Sequence, residues 1–221
     1  MTARVFLRDA AGVRTVYNPE TGRTLEGVLD GDSLMLEANQ ALFIVADKNG
    51  RPAPADVAPR RTGAVTLDDS WSVTFDGLNA PQGTRSFDRL ASLTEFFEDE
   101  VKYFSGTTTY RNTFTLDKNE KADGLDIDLG AVGQMADVWI NGEHVEFLWK
   151  APYKTRWMGT LLPGKNTVEI RVINLWPNRL IGDAQPGAKK TTYTTMPFYR
   201  ANAPLRPAGL IGPVRLEKLA R

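Results

Sequence analysis

Through most of this chain, apolar residues recur at every second position. Val168, Ile170 and Val172 alternate with Glu169 and Arg171, the pattern of a strand with one face in a core and one in water. Leu125, Ile127 and Leu129 do the same against Asp126 and Asp128, as do Ala136, Val138 and Ile140 against Asp137 and Trp139. Trp71, Val73 and Phe75 share one face, and Tyr110, Asn112, Phe114 and Leu116 another. Turn signals fall between these runs at Asp123-Gly124, Asn141-Gly142 and Pro163-Gly164-Lys165-Asn166. A period of two does not fit a helix, so the expected class is all-β, an antiparallel β-sandwich. One short helix is expected over Ser86–Phe97, where Leu90, Leu93 and Phe97 stand at helical spacing before a β-rich Val101-Lys102-Tyr103-Phe104.

The stretch 48–61 holds three prolines and no apolar pattern, so it is expected to be a linker. In front of it about four strands are expected, Ser33–Leu36 and Ala41–Val45 among them, with a turn at Asn18-Pro19-Glu20-Thr21-Gly22. So few strands bury too little surface to stand alone. Residues 1–47 are therefore expected to be the tail of a sandwich whose other strands lie upstream. Residues 62–221 are expected to form a complete one.

Charge and cysteine usage remove whole classes of function. Twenty-seven basic and 27 acidic residues cancel, which gives nucleic acid or an anionic membrane no electrostatic footprint. There is no cysteine, which excludes disulfides, thiolate nucleophiles and cysteine-bound zinc. No stretch approaches the ~20 consecutive apolar residues that span a bilayer. Met1–Asp9 lacks the apolar centre of a signal peptide and reads as a strand.

Several groupings bear on chemistry. Asp126 and Asp128 share a strand face and approach the spacing of a glycosidase carboxyl pair, but they alternate with core residues and so belong to the solvated side. Glu98-Asp99-Glu100 is a charge run expected at a solvated turn, with oxygen ligands that would suit a structural calcium ion; no other cofactor is called for. His144, the one histidine, follows the Asn141-Gly142 turn without a Gly-x-Ser-x-Gly elbow, so an exposed, hydrogen-bonded ring is expected. Gly159–Asn166 nearly spells a phosphate loop. It ends in Asn166 where magnesium needs Ser or Thr, and it leads into a strand, so it reads as a hairpin turn.

Aromatic residues in or beside loops are the stronger signal. The apolar C–H faces of sugars stack on indole and phenol while polar side chains take the hydroxyls. Trp149, Tyr153, Trp157 and Trp176 fit that role, with Asn178, Arg179 and Asp183 following Trp176 in what reads as a polar loop. Two uses stay open for Trp149, Tyr153, Trp176, Asn178, Arg179 and Asp183: contact with a carbohydrate, or contact with a neighbouring domain.

The segments Tyr103–Arg111, Leu125–Gly130, Ala136–Gly142 and Trp149–Tyr153 resemble the galactose-binding-like jelly roll of large glycoside hydrolases. Asn174–Asp183 and Gly209–Val214 narrow the resemblance to the C-terminal end of bacterial α-L-rhamnosidases of glycoside hydrolase family 106. In that family the catalytic carboxylates belong to an α/β barrel, and no position here matches it. The resemblance thus implies an accessory, carbohydrate-binding-like module, or alternatively a scaffold bracing the barrel. Its implied partners are a rhamnose-containing carbohydrate and the catalytic domain of a parent chain. It also implies export to the periplasm or beyond the cell.

Overall fold

The computed structural model describes residues 2–6, 12–19, 22, 24–25, 29–36, 39–49, 59–67, 70–117, 120 and 122–220. The chain divides into two compact units, Met1–Pro59 and Arg60–Arg221.

The first unit holds short strands β1 (Thr2–Arg4), β2 (Val13–Tyr17), β3 (Thr24–Leu25), β4 (Leu29–Asp30), β5 (Ser33–Met35) and β6 (Phe43–Asp47). They form two three-stranded antiparallel sheets, in the orders β1-β5-β4 and β3-β2-β6. Among the described residues of this unit, Val16 and Leu34 are its buried hydrophobics, while Phe6, Met35, Phe43 and Val45 are exposed. Two such side chains contribute about 3–6 kcal/mol. Ordering the backbone costs about 1–2 kcal/mol per residue. The unit's own interior is thin.

The second unit comprises β7 (Arg60–Leu67), β8 (Trp71–Asp76), β9 (Arg85–Phe87), a 3-10 turn (Leu93–Glu95), α1 (Asp99–Lys102), β10 (Gly106–Leu116) and β11 (Gly124–Asp128). It continues through β12 (Ala131–Val132), β13 (Met135–Ile140), β14 (Glu143–Leu148), β15 (Lys154–Trp157), β16 (Gly164–Asn174), α2 (Pro177–Asp183), β17 (Leu210–Gly212) and β18 (Val214–Ala220). A six-stranded sheet, β14-β13-β16-β10-β8-β9, and a four-stranded sheet, β15-β11-β18-β7, enclose one core. Trp71, Val73, Tyr110, Val138, Ile140, Val168 and Ile170 fill it from the larger sheet, and Leu125, Ile127 and Leu216 from the smaller. This is the all-β sandwich that the period of two demands.

Local chemistry accounts for the joints. Asn141 and Gly142 both take positive φ, as a two-residue turn between β13 and β14 requires. The fully buried Asn166 closes the 162–166 turn: its carbonyl oxygen accepts from Leu162 N–H at 2.8 Å and its amide donates to the Leu162 carbonyl at 2.8 Å. The same oxygen also receives the Asn141 side-chain amide at 2.8 Å, which ties two turns together.

Two expectations need correction. Ser86–Phe97 is not a helix: Arg85–Phe87 is a strand, only Leu93–Glu95 coils, and Phe97 is 98% exposed. Phe87 enters the core as a strand residue and stacks on Phe96 at 4.4 Å, a contact that outweighs the local spacing. A helix forms instead at Asp99–Lys102, running from the charge run into the Val101–Phe104 stretch that reads as β-rich. Val101 there is fully buried, and Asp99 and Glu100 complement the N-terminal dipole. The second concerns the linker. Its last two residues, Arg60 and Arg61, pair in β7 against Ala220 and Leu219, while residues 50–58 lie outside the described ones.

Candidate functional site

Register brings Trp149, Tyr153 and Trp176 to one end of the sandwich, whereas Trp157, paired with Leu125, is buried at the other end with its indole N–H on Glu143. Leu148 pairs with Ala136, Met135 with Ile173, and Gly106 with Asn174. Trp149, Gln134 and Trp176 therefore emerge beside one another, just past the ends of β14, β13 and β16. Trp149 is 59% exposed and Trp176 56% exposed. The Lys150 ammonium lies 5.3 Å from the Trp149 ring centroid. Tyr153 is half-buried; its hydroxyl donates to the Gln134 carbonyl, and its own carbonyl accepts from Leu129 N–H at 2.9 Å. Burial raises its phenol pKa. Tyr153 props the 129–134 segment, and the two tryptophans stay open to contact.

The stretch after Trp176 is helix α2, not the expected loop. Pro177 sits at the first turn, where its fixed φ suits a helix and its missing N–H is not needed. Arg179 and Asp183, four apart, lie on one face and pair at 2.8 Å. Gly182 lets Tyr103 pack against the helix, since a Cβ there would lie 2.6 Å from the Tyr103 Cβ. The three polar candidates turn inward. Asn178 is buried; its amide donates to the Arg206 carbonyl at 2.7 Å and its oxygen accepts from Arg206 N–H at 2.8 Å.

Asp183, also buried, accepts from the backbone N–H groups of Thr191 at 3.0 Å and Thr192 at 2.7 Å, and from the Thr192 hydroxyl at 2.6 Å. Burial pushes its pKa up. The bonds from Thr192 and Thr191 and the charge of Arg179 outweigh that and hold the carboxyl below its usual range.

These bonds anchor a long arm that sequence reasoning missed. From Ala184 to Gly209 the chain forms neither helix nor strand. Its feet are held by Asp183 to Thr191 and Thr192, by Gln185 to the Ala201 carbonyl at 2.9 Å, and by Asn178 to Arg206. Between the feet Tyr193 is 84% exposed and Phe198 78%, with Met196 exposed as well. The available signal was Thr191-Thr192, eight residues beyond an acid that would be buried on a helix. It has no local period to betray it.

The remaining candidates are tied into structure. Asp126 receives Arg156 at 2.6 and 2.9 Å from the neighbouring strand and Arg61 at 3.4 Å from the opposite side. Partial burial raises its pKa, but Arg156 and Arg61 outweigh that and hold the carboxyl below its usual range. Asp128 pairs with Lys154 at 3.1 Å and accepts from Gly130 N–H at 2.9 Å. His144 Nε2 lies 2.6 Å from Asp137 Oδ1, with the ring half-exposed. Glu98 and Glu100 both pair with Arg85. Among the described residues no group of three or more carboxylate and histidine side chains is placed to hold a metal ion.

No protein-family model matches the chain. A rhamnosidase from Novosphingobium sp. PP1Y has a solved structure that superposes with a TM-score of 0.77 at 40% sequence identity, covering 98% of this chain and 21% of the rhamnosidase. A putative β-glucuronidase of Formosa agariphila is 31% identical over 181 residues, 70% of this chain and 16% of that protein. The chain's relatives are glycoside hydrolases. A β-glucuronidase from Ruminococcus gnavus shares the fold, with a TM-score of 0.51 at 16% identity over 74% of this chain. The chain spans about a fifth of the solved rhamnosidase and about a sixth of the Formosa protein.

Proposed function

We propose that this chain is an accessory, carbohydrate-binding-like module of a larger glycoside hydrolase of the α-L-rhamnosidase type. The observation that carries this is its 40% identity, over 98% of its length, to a rhamnosidase of which it spans only 21%. In this reading the second unit is a galactose-binding-like jelly roll and residues 1–47 complete a sandwich begun upstream. The parent enzyme is exported and acts on a rhamnose-containing polysaccharide. The bond-breaking carboxylates belong to its catalytic domain. A general acid needs a raised carboxyl pKa, whereas Asp126 is held low by Arg156 and Arg61.

The α2 end of the sandwich is the working end of the module. Asn178, Arg179 and Asp183 pin the arm, and its exposed Tyr193, Met196 and Phe198 form the kind of apolar projection that packs against a neighbouring domain. Trp149 and Trp176 offer open indole faces for sugar beside it. A second reading, a scaffold that binds no sugar, is favoured by one observation: the three polar candidates on α2 direct their groups into the chain rather than outward.

The 221-residue chain by itself separates these ideas. Incubated with p-nitrophenyl α-L-rhamnoside, it is expected to release no nitrophenol; release would remove the accessory reading. With rhamnose oligosaccharides, tryptophan fluorescence is expected to change in the parent chain and far less in Trp149→Ala and Trp176→Ala. An unchanged spectrum in the parent chain decides for the scaffold.

A further inference from the structure

A different surface, the outward face of the six-stranded sheet, carries a cluster that neither the α2 end nor the family resemblance uses. Register places Ser72 of β8, Arg111 of β10, Glu169 of β16, Trp139 of β13 and His144 of β14 in one row across five strands. Their chain neighbours Val73, Tyr110, Ile170 and Val138 are fully buried, so alternation turns this row to solvent. At ~4.8 Å per strand the row runs about 19 Å. All of it but His144 lines the floor of an open trough that Thr113, Thr167 and Arg171 also line.

The side chains of the row are organised before any ligand arrives. Glu169 sits between two guanidinium groups, receiving Arg111 Nε at 2.7 Å on one oxygen and Arg171 Nε at 2.7 Å on the other. The Arg171 guanidinium carbon lies 4.0 Å from the Trp139 ring centroid, a stacked cation–π pair. The His144 ring approaches the same indole edge-on at 5.2 Å and is tied to Asp137 at 2.6 Å. The trough lining holds Arg111 and Arg171 against Glu169, with Asp137, the register partner of Arg171, beside them on the same face. Each guanidinium carries five N–H donors and Glu169 does not exhaust them.

A ladder of exposed cross-strand ion pairs is common, and each pair contributes only about 0–1 kcal/mol. Such a ladder does not call for an indole on the solvent face, nor for two guanidinium groups converging on one carboxylate in a concave floor. An aromatic plate beside prepared guanidinium groups instead matches a pyranose ring that bears a carboxylate, with C–H groups on the indole and the acid on arginine. We propose that this face binds an acidic oligosaccharide lying across the strands, with one sugar ring on Trp139 and its carboxylate held by Arg111 and Arg171. The proposal is independent of the rhamnosidase reading.

The test uses the intact chain and two probes, the tetramer of galacturonic acid and the neutral tetramer of galactose, followed by calorimetry and tryptophan fluorescence. The acidic tetramer is expected to bind with a Kd of about 1 mM or tighter and to weaken as salt rises. Trp139→Ala and Arg111→Gln are each expected to weaken it at least tenfold, in proteins whose circular dichroism and melting match the parent. Trp139→Phe, which keeps a ring in place, should recover part of the loss if Trp139→Ala disturbs the fold. Phe97→Ala, an exposed ring outside the trough lining, should leave the affinity unchanged. No binding of the acidic tetramer, equal binding of the neutral one, or affinity indifferent to Trp139 and Arg111 would each overturn the proposal.

Discussion

Asp183 shows how a side chain that looks functional is held by its surroundings. The backbone N–H groups and hydroxyls of Thr191 and Thr192, with Arg179, converge on a buried carboxylate, and removing it leaves the arginine without its partner. Asp183→Ala is expected to cost about 3–5 kcal/mol in urea unfolding and to loosen the 184–209 arm to proteases. Its lowered pKa sets a direction with pH. The unfolded carboxyl, near 3.9, takes up a proton before the folded one does. The stability it contributes is complete above that value and drains as pH falls through the folded value. Unfolding midpoints measured from about pH 5 to pH 2 should therefore drop less steeply in Asp183→Asn than in the parent chain. Glycines at neighbouring scales of tolerance give a second contrast. Gly182→Ala drives a methyl into Tyr103 and is expected to cost about 1–3 kcal/mol, with the clash set by the 2.6 Å approach. Gly142→Ala meets no neighbour within 4 Å and suffers only from its positive φ, so its melting temperature should fall less.

Among the elements, β16 was the most legible because it alternates along its length, with every second residue from Asn166 to Asn174 buried. The helices were not. Pro177 at the first helical position was a usable signal for α2, yet six following residues are too few for an apolar period, and packing on Tyr103 decides the outcome. The Ser86–Phe97 spacing matched a helix by coincidence, since Phe87 belongs to a strand edge and Phe97 to solvent. Polar residues inside the core fasten elements that share no sequence neighbourhood. The Tyr110 hydroxyl accepts from Leu210 N–H at 3.1 Å, and Asn174 accepts from Gly209 N–H at 2.7 Å. Burial lifts the Tyr110 phenol far above its ordinary pKa, so it stays neutral in any physiological medium. Tyr110→Phe is expected to cost about 1–3 kcal/mol, because a buried N–H is left without a partner. Faster amide exchange at Leu210, measured by NMR, is the check.

Across the whole molecule, burial is uneven. Every member of the main core cluster falls between Leu67 and Leu216. A fragment spanning 60–221 is accordingly expected to keep a cooperative unfolding transition within about 1 kcal/mol of the same unit in the intact chain. Amides of β2, β5 and β6 should exchange well before those of β10 and β16; the reverse order would show that the first unit is the sturdier. The all-β class, the main strand faces, the Asn141-Gly142 hairpin and the outward direction of Asp126 and Asp128 were readable from residue order. Each depends on neighbours one to four positions apart, where side-chain direction follows directly from backbone period. The inward turn of Asn178, Arg179 and Asp183, the pinned arm, and the row from Ser72 to His144 needed the folded chain. They arise from pairings that range from Asp183–Thr191, eight positions apart, to Arg111–Glu169, 58 apart, and no local period records which strand will lie beside which, or which polar atoms burial will force to find partners.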